Sequence, residues 1–158
     1  MNKISILFLL LIALSTETMA QQKIMSILEA EKSGVSIQKL DSLYKSAVHS
    51  NQDLAVFKTP EDQERLQGAY IQFFQKLGVF LSKNKFKWDQ KTRCFNRIYM
   101  NNDGSIEFFI YNFNKDQISA SIEKEFTHLL SLFIQENKFP ISAIEKFAQC
   151  SPISYISN

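Results

Sequence analysis

Glycine and proline are scarce, at 4 and 3 residues in a chain of 158. That scarcity excludes a collagen-like chain and a Gly/Pro-driven disordered one. Cysteine and histidine occur twice each, which leaves little material for a metal centre. No His-Glu-x-x-His, P-loop, dinucleotide glycine fingerprint or Gly-x-Ser-x-Gly elbow occurs, so the sequence assigns no catalytic residue, no metal site and no cofactor. An excess of either charge is lacking as well, with 18 Lys and Arg against 16 Asp and Glu. A net +2 is far from the cationic surface of a dedicated nucleic-acid binder, and nucleic acid is not expected as a partner. What the chain does have is apolar bulk, 45% hydrophobic residues with 14 Phe among them. At this length that suffices for one core without metal or disulfide staples.

Residues 1–20 read as a signal peptide. Lys3 is the positive start, residues 4–15 are apolar, and Thr18 and Ala20 stand at the small positions of a cleavage site. The apolar run is too short for a membrane span, which takes about 20 residues. The expectation is an exported protein, periplasmic or secreted, with no stable membrane span after cleavage. In an oxidising compartment Cys94 and Cys150 are either a disulfide closing a long loop or two buried thiols.

Periodicity then divides the rest into an N-terminal helical segment (21–58) and an α+β region (59–158) that form one domain. Ile24, Ile27 and Leu28 recur at helical spacing in 21–32, and Ile37, Leu40, Tyr44, Ala47 and Val48 do so in 36–50. The latter pattern places His49 near a helix C-terminus, a favourable dipole position. Thr59 as N-cap, Pro60 at the first helical position and Glu61 and Asp62 in the first turn open the clearest helix. Its apolar face runs from Leu66 to Leu81. The period then changes to two. Residues 92–100 and 105–113 read as strands joined by a turn at Asn101, Asn102, Asp103 and Gly104. The expected pairing places Phe95, Arg97 and Tyr99 on one face with Ile106, Phe108 and Ile110. Cys94, Ile98 and Met100 share the other with Phe109, Tyr111 and Phe113. Both faces are apolar, and one helix layer covers only one, so the second calls for another helix, another chain or a ligand. A helix over 118–137, capped by Ser119 or Ser121, precedes a last strand over 147–156, which Pro152 restricts to an edge or a bulge. The class is α+β: a small antiparallel sheet, hairpin plus C-terminal strand, packed with two or three amphipathic helices.

Glu125 and His128 have di-iron spacing, but no second Glu-x-x-His exists to complete the site, and they read as a solvated helix edge. Lys83, Lys85, Lys87, Lys91, Arg93 and Arg97 accompany a single acid, Asp89, with Phe86 and Trp88 interleaved. This cluster reads either as a contact for an anionic surface or as a lysine-guarded strand edge.

The order strand, Asn102-Asp103-Gly104 turn, strand, amphipathic helix, then Asn137-Lys138-Phe139-Pro140 and a final strand resembles the C-terminal domain of the TonB family of energy transducers, over residues 92–156. The Tyr-Pro element before the first strand and the Ser-Ser-Gly after the second are missing, and a cleavable leader stands in place of a membrane anchor. The resemblance implies an envelope binding module rather than a transducer, with residues 147–156 as contact region. A non-enzymatic protein- or peptide-binding module is therefore the first expectation. Its partner would be an envelope protein or a second copy of the chain at the sheet edge. The expected binding residues are Phe95, Arg97, Tyr99, Phe108, Tyr111, Phe147, Ile153 and Tyr155. A periplasmic carrier of a small apolar ligand, with Phe95, Tyr99, Phe108 and Tyr111 as pocket wall, is the alternative. A hydrolase with an unrecognised site is the third.

Overall fold

The computed structural model describes residues 22–114 and 116–156. The signal-peptide reading of residues 1–20 lies outside the described residues. The elements are β1 (Lys23–Ser26), α1 (Ile27–Lys32), α2 (Ile37–Leu43), β2 (Lys45–Ser46), a 3-10 turn (Gln52–Leu54), α3 (Pro60–Lys83), β3 (Thr92–Met100), β4 (Ile106–Phe113), α4 (Ala120–Glu136) and β5 (Phe147–Tyr155). Among the described residues no helix is long and apolar enough to cross a membrane.

The class is α+β, and the sheet is larger than a hairpin with one added strand. Its order is β1-β4-β3-β5-β2. The central strand β3 pairs antiparallel with both β4 and β5, while short β1 and β2 run parallel to β4 and β5. The two long helices form where their signals stand. Thr59 accepts a hydrogen bond from the Asp62 backbone N–H, and Ser119 accepts one from Ile122. Each helix lays its apolar stripe on one sheet face. Leu66, Ala69, Phe73, Leu77 and Leu81 of α3 and Phe126, Leu130 and Phe133 of α4 bury Ile98, Met100, Phe109 and Tyr111 beneath them. Phe126 is the hub of an aromatic cluster, with ring centroids at 5.2 Å from Trp88, 5.4 Å from Phe113 and 5.6 Å from Tyr155. Each such ring, fully buried, contributes about 1.5–3 kcal/mol.

The second sheet face is partly covered by the N-terminal region. Ala30 of α1 and Leu40 of α2, with Tyr44, form a smaller cluster over Tyr99, Ile110 and Ala148. This region is not purely helical, contrary to the periodicity. Residues 23–26 form a strand because they pair with residues 108–111 of β4. Ser26 and Glu29 make a reciprocal capping box that starts the helix only at Ile27. The second predicted helix stops at Leu43, and Lys45 and Ser46 pair with Phe147 and Ala148 instead. His49 therefore does not sit at a helix C-terminus. It lies in a loop, where its Nδ1 accepts the Asn51 N–H.

One hairpin residue changes face. Tyr99 pairs with Phe108 but Met100 pairs with Ile106, so Glu107 is an extra residue in the ladder. Ile106 thereby joins Met100 in the main core rather than Phe108 on the far face. Glu107 accepts the Tyr44 hydroxyl and the Lys146 ammonium. The turn itself is closed by Gly104, which donates to the Asn101 carbonyl at 3.0 Å and accepts from Phe139 N–H at 2.9 Å. Gly104 has φ +80°, and a Cβ there would stand 2.2 Å from the Phe139 carbonyl oxygen. Gly104→Ala is expected to cost about 2 kcal/mol or more in a denaturant melt, from left-handed backbone strain plus the clash. An unchanged midpoint would show that the Phe139–Ile141 loop yields freely.

Candidate functional site

β5 is the strand whose two edges differ most. Along its whole length it pairs with β3, from Thr92 opposite Tyr155 to Met100 opposite Phe147. On its outer side β2 pairs with only Phe147 and Ala148. Lys45 N–H donates to the Lys146 carbonyl and Ala47 N–H to the Ala148 carbonyl, so the even-numbered residues turn their backbone groups outward. Backbone direction alternates along a strand. Past the end of β2, Cys150, Pro152 and Ser154 therefore present their peptide groups to an edge that no described strand covers. Pro152 stands in this outward register, where its missing N–H breaks no bond to β3. The edge expectation for Pro152 thus has a structural reason.

A groove of about 960 Å³ runs beside this edge. One wall is the outer side of α3, with Ile71, Gln75, Gly78 and Val79, and the other is Ile153 to Ile156. Ile71, Val79 and Ile156 are 48%, 55% and 62% exposed, so the walls are open apolar surface rather than core. Gly78 lies in mid-helix with nothing within 4 Å of where its Cβ would stand. An exposed helix glycine costs about 1 kcal/mol relative to alanine. Lys83, Lys85 and Lys87 stand at the end of the groove where β5 finishes, joined to it by Trp88 stacking on Tyr155 at 4.6 Å. Lys91 and Arg93 are exposed farther along the same stretch.

The structure divides the eight expected binding residues between the two sheet faces. Phe95, Arg97, Tyr99 and Phe108 share the face partly covered by α1 and α2. Tyr99 is fully buried there, donates its hydroxyl to Asp41 at 2.9 Å and packs on Tyr44 at 5.2 Å. Arg97 pairs with Asp41 at 3.1 Å, and its guanidinium lies 5.8 Å from the exposed Phe95 ring. Tyr111, Phe147, Ile153 and Tyr155 belong to the other face. Tyr111 shares a 2.6 Å hydrogen bond with Thr127, and Phe147 packs on Phe57 at 5.4 Å. Only Ile153 and Tyr155 reach the groove. Phe95, Tyr99, Phe108 and Tyr111 do not line one pocket, because Tyr111 points to the opposite side of the sheet. The groove residues of α3 were missed by the sequence reading, although Ile71, Gln75, Gly78, Val79 and Ser82 recur at helical spacing as a second stripe.

The cysteines are both free. Cys94 sits opposite Ile153 and Cys150 opposite Arg97, three positions apart in register, so they occupy opposite faces and the disulfide reading is corrected. Burial pushes the Cys94 thiol up to about 12. Cys150 is exposed, with a thiol raised by local burial against the opposing pull of Arg97. Iodoacetamide at mildly alkaline pH is expected to label Cys150 slowly in the native protein, and Cys94 only after unfolding. A native protein with no free thiol by mass spectrometry would refute this placement.

Beneath the groove lies a set of orphaned polar atoms. The Tyr70 and Tyr155 hydroxyls, Ser151 Oγ and Asn96 Nδ2 are buried within reach of one another, but no pair among them has full hydrogen-bond geometry. They lie close enough to influence one another's ionisation, and burial holds both phenols above their ordinary range. Tyr155→Phe is expected to leave stability unchanged or raise it by up to about 1 kcal/mol, because the lost hydroxyl makes no well-aligned hydrogen bond. Tyr155→Ala should cost about 3–5 kcal/mol through the cavity it leaves. A large loss in the Phe variant, read by thermal melting, would show that the hydroxyl is paired.

Among the described residues no three His, Cys, Asp or Glu side chains gather closely enough to hold a metal ion. Glu125 and His128 are exposed on α4. No family model, curated protein or solved structure matches the chain.

Proposed function

We propose that this chain is a non-enzymatic binding module that takes up an extended segment of a partner protein as an added strand along β5. The observation that carries the reading is the juxtaposition of an uncovered strand edge with an open apolar groove on the same side of the sheet. Main-chain groups of Cys150, Pro152 and Ser154 supply hydrogen bonds to an incoming backbone. Every second side chain of that segment then enters the groove beside Ile71, Gly78 and Val79. The mid-helix glycine fits this use, because a larger residue would fill the space an incoming side chain requires. The leader expected in residues 1–20 supports a partner in the cell envelope, and the resemblance of residues 92–156 to TonB C-terminal domains supports the same edge as contact region.

Two variants test the reading without disturbing the core. Ser154→Pro removes an outward N–H and leaves the ladder to β3 intact, so it is expected to keep the melting temperature within a few degrees and to abolish partner capture. Gly78→Leu fills the groove and should raise helix stability by about 1 kcal/mol while weakening capture. Capture is read by pull-down from envelope extract followed by mass spectrometry. Retention of the same partner by both variants would refute strand addition at this edge. A dimer in size-exclusion chromatography that Ser154→Pro dissolves would assign the edge to a second copy of the chain instead.

A further inference from the structure

The groove has a charge pattern that strand addition alone does not use. Lys83, Lys85 and Lys87 line it, and no Asp or Glu does. Lys83, Lys85 and Lys87 have no acidic partner among the described residues, a state they share with most other described lysines, whereas Lys45, Arg65, Arg97, Lys138 and Lys146 pair with carboxylates at 2.5–3.1 Å. One of them is held in a conformation that lysine disfavours. α3 ends with Lys85 N–H donating to the Ser82 carbonyl and Phe86 N–H to the Leu81 carbonyl, a closing motif whose left-handed position is usually glycine. Lys85 fills that position at φ 62°. A cation in place of the residue the backbone prefers points to a use for the charge. The buried Phe86 and Trp88 anchor the stretch between the lysines, and Trp88 fixes it against Tyr155. The charge is thereby gathered at the end of the groove.

We propose that the groove selects extended segments carrying a run of acidic residues at the end that lies beside Lys83, Lys85 and Lys87. This inference rests on the strand-addition reading and names the partner's chemistry. The middle of the segment alternates, with apolar side chains against Ile71, Val79 and Ile153, and its terminal carboxylates meet the three ammonium groups. An anionic lipid surface would also meet the lysines, but it would make no use of the outward peptide groups of Cys150, Pro152 and Ser154, which water solvates in the free chain. The uncovered edge therefore favours a peptide.

The test uses the purified chain and three fluorescent nine-residue peptides with an alternating Val/Thr centre and two Glu, two Gln or two Lys at each end. By anisotropy the Glu-ended peptide is expected to bind about tenfold tighter than the Gln-ended one, with the difference shrinking as salt is raised, and the Lys-ended peptide weakest. Replacing Lys83, Lys85 and Lys87 together by Gln should bring the Glu-ended peptide down to the Gln-ended affinity. Lys85→Gly is expected to raise the melting temperature while weakening Glu-ended binding, an opposition that a purely structural lysine would not give. Equal affinity for Glu- and Gln-ended peptides, with loss of both in Ser154→Pro, overturns the acidic preference and leaves strand addition standing. Failure of all three peptides to bind overturns both. Binding to phosphatidylglycerol vesicles that Ser154→Pro does not alter, with no peptide preference, overturns the proposal in favour of a lipid surface.

Discussion

β5 is bonded on one side for its full length and on the other for two residues, and most of what distinguishes this molecule depends on that asymmetry. The nine-residue ladder to β3 fixes the strand's alternation. Phe147, Ile153 and Tyr155 go under the long helices, while Cys150, Pro152 and Ser154 lie on the opposite face. The same ladder decides which peptide groups are left over. Because β2 ends after Ser46, the leftover groups form a continuous edge rather than scattered defects.

The helix layer answers the edge in a specific way. α3 carries one apolar stripe that closes the core through Phe73 and Leu77, and beside it a mixed stripe in which Ile71 and Val79 stand exposed among Gln75, Gly78 and Ser82. A helix that served only the core would not need large apolar residues such as Ile71 and Val79 on that stripe. Here the second stripe turns toward the strand that lacks a neighbour. Helix and edge together make one concave surface. α1 and α2 have the contrary role on the far face, where Leu40 and Tyr44 seal the Tyr99 end and leave Phe95 and Arg97 at the margin.

Where local signals were strong, sequence and structure agree. Thr59-Pro60, Ser119 and the Asp103-Gly104 turn all act at short range, and each marks its element within a residue or two. The N-terminal region was misread because its strands have two and four residues, too few for one period to exclude another. Tyr44 and Ala47 fit a helical stripe, yet they enter different clusters because pairing with β5 captures the backbone between them. The Ser26–Glu29 capping box did carry the missing boundary, since a cap forces what precedes it out of the helix. Of the expected contact residues, aromatic type alone could not separate Tyr99 and Tyr111, buried under different layers, from Tyr155, which reaches the groove. That distinction depends on which helix covers which face, and nothing in a single strand encodes it.

Pro152 has a consequence for self-association. An open edge is a template on which identical chains can stack without end. With the proline nitrogen facing outward, the exposed stretch offers carbonyls at Cys150, Pro152 and Ser154 but amide hydrogens only at Cys150 and Ser154. Two such edges brought together around the proline would set an acceptor against a position with no donor. A foreign strand that supplies its own amide there can join, while runaway polymerisation of the chain meets a built-in interruption.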